Sequence, residues 1–313
     1  MPDTTVTIAE MTLKNPVLVA SGTFGYGVEF ARVMDVQRLG GIVLKTITLE
    51  ARSGNPPPRI AETPSGILNS IGLQNVGVAA LIEERLPLLA QYDAPIIANI
   101  YGENVAQFVE LARRLSEQPQ ISAIELNLSC PNLSGRGKWR GASAPDLVAQ
   151  DAGAVSQYTA AAREVTRLPL IVKLSPAVTS IAEIAQAAEH AGADAVSLIN
   201  TIPGIVIDVE KRRPFLGGVT GGLSGPAIRP VAVRMVWEVA RAVTVPVIGM
   251  GGIRFPSDAL EFIIAGATAV AVGSANFADP KATLDIITGI EEYMERHGIG
   301  SMDELIGSME LPP

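Results

Sequence analysis

Short apolar runs recur along the chain, and stretches of helical period separate them. β-Branched residues dominate the runs at 17–20, 41–44, 95–99, 121–126, 170–174, 195–199, 245–249 and 269–272. None of them alternates strictly between polar and apolar, as expected of parallel strands covered on both faces. Between them, spacing of apolar positions predicts helices over 78–89, 105–116, 152–166, 181–190, 228–242 and 257–265, with a last one over 282–296. Residues 5–9 and 11–13 read as an N-terminal β-hairpin. Eight strands with helical crossovers predict an α/β fold, a single (β/α)₈ TIM barrel. A doubly wound sheet is the alternative, but it would more readily begin at a Gly-rich dinucleotide loop. The sequence contains neither G-x-G-x-x-G nor a P-loop. Two connections, 47–75 after the second strand and 201–226 after the sixth, are too long for plain turns. Insertions of that length usually carry function, and both would lie where the strands' C-terminal ends emerge. No linker composition or further repeat interrupts the pattern, so residues 1–313 read as one domain.

Polar residues follow nearly every run: Ser21, Lys45, Asn99, Asn127 with Cys130, Lys173, Asn200, Gly251-Gly252 and Gly273-Ser274. Gly, Asn and Ser are ordinary turn formers. Lysine directly after Val-Leu or Ile-Val is less ordinary. A lysine buried there needs a partner, which either a structural carboxylate or an electron-rich ligand supplies. The glycines after the last two strands can turn backbone N–H groups toward an anion, where barrels commonly hold phosphate. The turn at 222–226 can add to that cradle. A flavin mononucleotide and a phosphorylated sugar satisfy it equally.

Composition narrows the chemistry further. With 48% hydrophobic and 18% charged residues the chain reads as soluble and globular. A net charge of −8 argues against a nucleic-acid partner. No apolar run approaches the ~18–20 residues of a membrane-spanning helix, and the N-terminus lacks the basic region of a signal peptide. A single cysteine excludes a disulfide framework and fits a cytoplasmic location. The two histidines, His190 late in a predicted helix and His297 near the C-terminus, read as helix-end residues, and no residue cluster has metal-ligand spacing, so no metal is expected. A lone cysteine is most often a small buried hydrophobe. With no histidine at the strand ends, however, Cys130 becomes the leading acid–base candidate there.

Several longer runs share one family pattern. They are Asn15-Pro16 with Ala20-Ser21-Gly22-Thr23-Phe24-Gly25, Lys45-Thr46, Gly54-Asn55-Pro56-Pro57-Pro58-Arg59, and the stretch 62–75. They continue in Asn127-Leu128-Ser129-Cys130-Pro131-Asn132, the stretch 221–228, Gly249-Met250-Gly251-Gly252-Ile253 and the stretch 272–277. Over nearly its whole length the sequence resembles the dihydroorotate dehydrogenases, class 1B most closely. The resemblance implies one FMN per chain and oxidation of dihydroorotate to orotate in pyrimidine synthesis. It implies that Cys130 takes a proton from C5 while hydride passes from C6 to flavin N5. Lys45 would lie between flavin and substrate. Asn69, Ser70, Ile71, Gly72 and Leu73 would hold the substrate, with Asn127, Asn200 and Thr201 on its carboxylate and ring amides. Ser21, Thr46, Asn99, Lys173, Ile199 and Gly225 would line the flavin, with Lys45 and Asn127 touching it too. Gly251, Gly252, Gly273 and Ser274 would take its phosphate.

Class 1B enzymes pass electrons through FAD and a [2Fe–2S] cluster to NAD⁺. A cluster needs about four cysteines, and this chain has one. The resemblance therefore implies a partner subunit carrying FAD and [2Fe–2S], around a homodimeric catalytic core within a heterotetramer. Three rivals share some of the features. A dihydropyrimidine dehydrogenase-type FMN subunit would act on uracil, which lacks the carboxylate, and the stretch 67–75 favours dihydroorotate. A fumarate-using class 1A enzyme is disfavoured by the stretches 65–75 and 221–228. A non-redox phosphate-binding isomerase or synthase would bind no flavin. One loop departs from the family pattern: 133–141 is unusually basic and bears Trp139. It reads either as a solvated loop or as a lid carrying Cys130 whose charge draws in the substrate carboxylate.

Overall fold

The structure, a computed structural model, describes residues 2–128 and 148–312. Eight parallel strands close into a barrel. They are β1 (Val17–Val19), β2 (Gly41–Val43), β3 (Ile96–Ile100), β4 (Ala123–Asn127), β5 (Leu170–Lys173), β6 (Ala195–Leu198), β7 (Val247–Gly249) and β8 (Ala269–Val272). Each pairs with its neighbours in chain order, and β8 closes onto β1 through Val270 opposite Val17. Nearly every strand residue is buried, which explains the unbroken apolar runs.

Helix starts follow local chemistry. The helices Val105–Ser116, Ala152–Arg163 and Ile181–His190 each open on a side-chain cap. Asn104, Asp151 and Ser180 accept the N–H of Gln107, Ala154 and Glu183 respectively. Residues 78–89 are helical throughout, but the middle turn, Leu81–Arg85, widens to a π-helix. The helix predicted to reach 166 ends at Arg163, whose guanidinium turns back onto the carbonyls of Thr166 and Leu168 at 2.6 and 3.0 Å. The N-terminal hairpin pairs Val6–Ile8 with Met11–Leu13 and buries Ile8 and Leu13 in the main core.

The two long insertions fold together. Ile60–Thr63 and Gly66–Asn69 come from the first, Ile202–Gly204 and Gly221–Ser224 from the second. They make one antiparallel sheet in which Gly66–Asn69 pairs with Gly221–Ser224. Sequence pattern did not reveal this sheet, because its strands have only three or four residues and its central pairing spans about 150 positions.

Asn75 closes the first insertion. Its Oδ1 accepts the N–H of Gly77 at 2.8 Å and of Thr48 at 3.3 Å, and its Nδ2 donates to the Leu73 carbonyl at 2.8 Å. The side chain is buried, so truncation strands several polar groups away from water. Asn75→Ala is expected to lose about 2–3 kcal/mol of stability, read as a lower denaturant midpoint.

Candidate active site

A cavity of about 330 Å³ lies between the barrel's strand ends and the insertion sheet. That volume falls in the range of small-molecule and cofactor sites. From the barrel side it is lined by Ser21 after β1, Lys45 and Thr46 after β2, Asn127 ending β4 and Lys173 ending β5. Ile199, Asn200 and Thr201 follow β6, Gly251 and Gly252 follow β7, and Gly273 and Ser274 follow β8. The first insertion adds Asn69, Ile71, Gly72 and Leu73. Residues expected on chemical grounds from distant parts of the chain thus share one wall.

Three expected residues sit elsewhere. Asn99 is wholly buried one layer below, because β3 runs on to Ile100 and leaves Asn99 inside the strand. The Ser70 side chain is buried behind the insertion sheet, where Asn55 Nδ2 donates to its hydroxyl at 3.0 Å. Gly225 forms the turn before Pro226 with φ +101°, and its carbonyl accepts from Ile228 N–H at 3.1 Å. Cys130 and the basic loop 133–141 lie outside the described residues.

A polar network ties the wall together. Asn127 Nδ2 donates to Thr46 Oγ1 at 3.2 Å, and Thr46 Oγ1 lies 3.4 Å from Ser21 Oγ. Asn69 Nδ2 donates to the Gly222 carbonyl at 3.2 Å, anchoring the insertion sheet at the cavity edge. Asn200 Oδ1 accepts the N–H of Thr201 at 2.8 Å. Below the cavity floor sits Glu125, buried in β4, which accepts from Ser197 Oγ at 2.7 Å and from Asn99 Nδ2. Lys173 Nζ lies 4.0 Å from Glu125 Oε2. The lysine's expected partner is therefore a carboxylate within the barrel. Sequence reading missed Glu125 because it stands in an apolar run. The available signal was its position two residues before Asn127, which places both on one face of a strand. Ile67, Ser224, Met250 and Phe277 also line the cavity and were not singled out.

Whether these residues suit a flavin can be tested on their own geometry. Asn127 Oδ1, on the cavity wall, is a buried acceptor to which no described residue donates. Such atoms are costly unless a ligand satisfies them, and a ring carrying N–H groups would. A Cβ built on Gly273 would meet nothing closer than 3.8 Å, so the backbone there is open to close approach. Two lysines supply positive charge beside it. The set fits a phosphorylated, electron-accepting heterocycle.

A family model described as dihydroorotate dehydrogenase matches residues 4–294. The chain belongs to the dihydroorotate dehydrogenase family. Full-length relatives agree. A protein of Desulforudis audaxviator is 55% identical over 305 residues, covering 97% of each chain. One of Geotalea uraniireducens is 52% identical over 308 residues, covering 98% of each. One of Bacteroides thetaiotaomicron is 50% identical over 311 residues, covering 99% of this chain and 100% of its own. All three are named "Dihydroorotate dehydrogenase B (NAD(+)), catalytic subunit". The likeness supports the class 1B type, and the closed eight-stranded barrel is the fold expected for a dihydroorotate dehydrogenase of that type.

Proposed function

We propose that this chain is the catalytic subunit that oxidises dihydroorotate to orotate in pyrimidine synthesis, with NAD⁺ as final acceptor. The observation that carries the reading is the gathering of polar strand-end residues and the 69–73 stretch around one cavity, in a chain so close to the class 1B relatives over its full length. FMN, when bound, would accept the hydride that leaves C6 of the substrate. Ser21, Thr46, Asn127, Lys173 and Ile199 would hold its ring system, and Gly251, Gly252, Gly273 and Ser274 its phosphate.

The chain's own residues do the rest. Asn69, Asn127 and Asn200 suit a dihydropyrimidine ring because a carboxamide both donates and accepts. Lys45 brings a positive charge to where negative charge develops. Cys130 takes the C5 proton, and a thiol with an ordinary pKa near 8.5 is only a few per cent ionised at neutral pH unless its surroundings favour the thiolate.

Electrons then leave for another subunit. One cysteine cannot ligate an iron–sulfur cluster, so FAD and [2Fe–2S] belong to a partner, bound to a homodimeric core in a heterotetramer. No helix among the described residues is long and apolar enough to cross a membrane, and we place the enzyme in the cytoplasm.

The test uses the purified chain alone. It is expected to be yellow and to bleach an artificial dye with dihydroorotate while leaving NAD⁺ unreduced. Efficient NAD⁺ reduction by the lone chain would remove the partner from the scheme. A colourless protein that takes up no FMN would remove the flavin.

A further inference from the structure

Among the described residues only Glu125, Lys173 and Asp258 are buried charged side chains. Asp258 has a local explanation: it pairs with Arg229 and accepts the N–H groups of Arg254 and Phe255 at a helix start, each at 2.9 Å. Glu125 has none of that kind. It stands in the barrel interior, where side-chain layers are ordinarily bulky and apolar. Burying a carboxylate and an ammonium together costs desolvation that their attraction only partly offsets, and a well-packed apolar replacement is often as stable or more so. Stability alone does not account for the pair.

Its position does. Lys173 lines the cavity, whereas Glu125, Asn99 and Ser197 lie in the layer beneath. The register sets Asn99 opposite Glu125 on β3 and β4, and Ser197 opposite Lys173 on β6 and β5. Glu125 receives hydrogen bonds from Asn99 and Ser197, but Lys173 Nζ stays 4.0 Å away, longer than a hydrogen bond. The carboxylate attracts the ammonium without engaging its N–H groups at hydrogen-bond distance. Asn99, held through Nδ2, has no donor to its Oδ1 among the described residues.

We infer that Glu125 is a positioning residue of the flavin site. Its carboxylate is the counter-charge that holds the Lys173 ammonium at the cavity floor and limits the positive field reaching a bound flavin. The inference rests on the FMN reading above. Reduction adds negative charge to the flavin, so a stronger positive field favours the reduced form.

The test is a redox titration of the FMN-loaded chain. Glu125→Gln keeps the shape and an acceptor for Asn99 but removes the charge. It is expected to favour reduced over oxidised FMN by about tenfold, a rise of about 30 mV in the two-electron potential. In a Lys173→Met background the same replacement is expected to shift the ratio by a clearly smaller factor, since only the carboxylate's own direct field remains and the repositioning of the ammonium drops out. Equal shifts in the two backgrounds, or none in either, overturn the inference. If Glu125→Gln does not fold, Glu125→Asp carries the test. Withdrawing the carboxylate by one methylene should give a shift of the same sign and at least twofold, and an unchanged potential overturns the inference. Wild-type protein without bound FMN would instead overturn the flavin reading itself.

Discussion

Cys130→Ala is expected to purify yellow, fold normally and reduce its FMN with dihydroorotate about 10²–10⁴-fold more slowly than wild type. The reaction removes a proton from carbon, which needs a positioned base. Among the described residues that line the cavity, Lys45 and Lys173 are the only ones with titratable side chains, and both are cationic residues suited to holding charge. No carboxylate or histidine is among them. Asn127 lines the cavity, and Cys130 follows it by three residues, a span of at most about 10 Å. Cys130 is therefore the base proposed for this step. Stopped-flow absorbance of the flavin reads the step directly, without partner or acceptor. If the thiolate is the base, the wild-type rate rises with pH toward the thiol's pKa, and that rise is absent in the alanine variant. A near-normal rate of flavin reduction in Cys130→Ala would reassign the proton transfer.

Much of this arrangement was legible in the residues, for identifiable reasons. Strands covered on both faces leave continuous apolar runs, so all eight were found within two residues of their ends. Helices 105–116 and 181–190 were read to the residue from the spacing of their apolar positions, and Asn104 and Ser180 cap their starts in the structure. Strand ends could be located, and with them Lys45, Asn127, Lys173 and the two glycine turns. What escaped notice depends on partners far apart in sequence. Gly66–Asn69 and Gly221–Ser224 carry little strand signal of their own and acquire it from each other. Glu125 carries no signal of its own within the apolar run 121–126, because its surroundings, Lys173, Asn99 and Ser197, come from other strands. Ser70 shows the converse: the stretch 69–73 reaches the cavity, but Ser70 turns its hydroxyl to Asn55 while its neighbours Asn69 and Ile71 face inward.

Two glycine replacements are expected to separate cofactor binding from folding. Gly273→Ala should leave the melting temperature of the FMN-free chain unchanged and weaken FMN binding about 100-fold, measured by recovery of flavin fluorescence on release. Gly252→Ala should weaken binding at least as much and also destabilise the chain by about 2–4 kcal/mol. The difference lies in what an added methyl meets. At Gly273 it finds only the Ala20 and Thr23 side chains at 3.8 and 3.9 Å, ordinary contact distances, and φ lies outside the glycine-favouring region. The methyl therefore costs the protein little and takes up space on the cavity wall, where an anion needs the bare backbone. At Gly252 the backbone has φ +78°, and the methyl would sit 2.7 Å from the Gly225 carbonyl oxygen and 3.0 Å from the Arg229 nitrogen. Backbone atoms cannot rotate away as a side chain can, so the loops after β6 and β7 must part. If Gly273→Ala binds FMN as wild type does, the β8 turn is not part of the phosphate cradle. If it loses stability as Gly252→Ala does, the open wall at Gly273 serves packing and not a ligand.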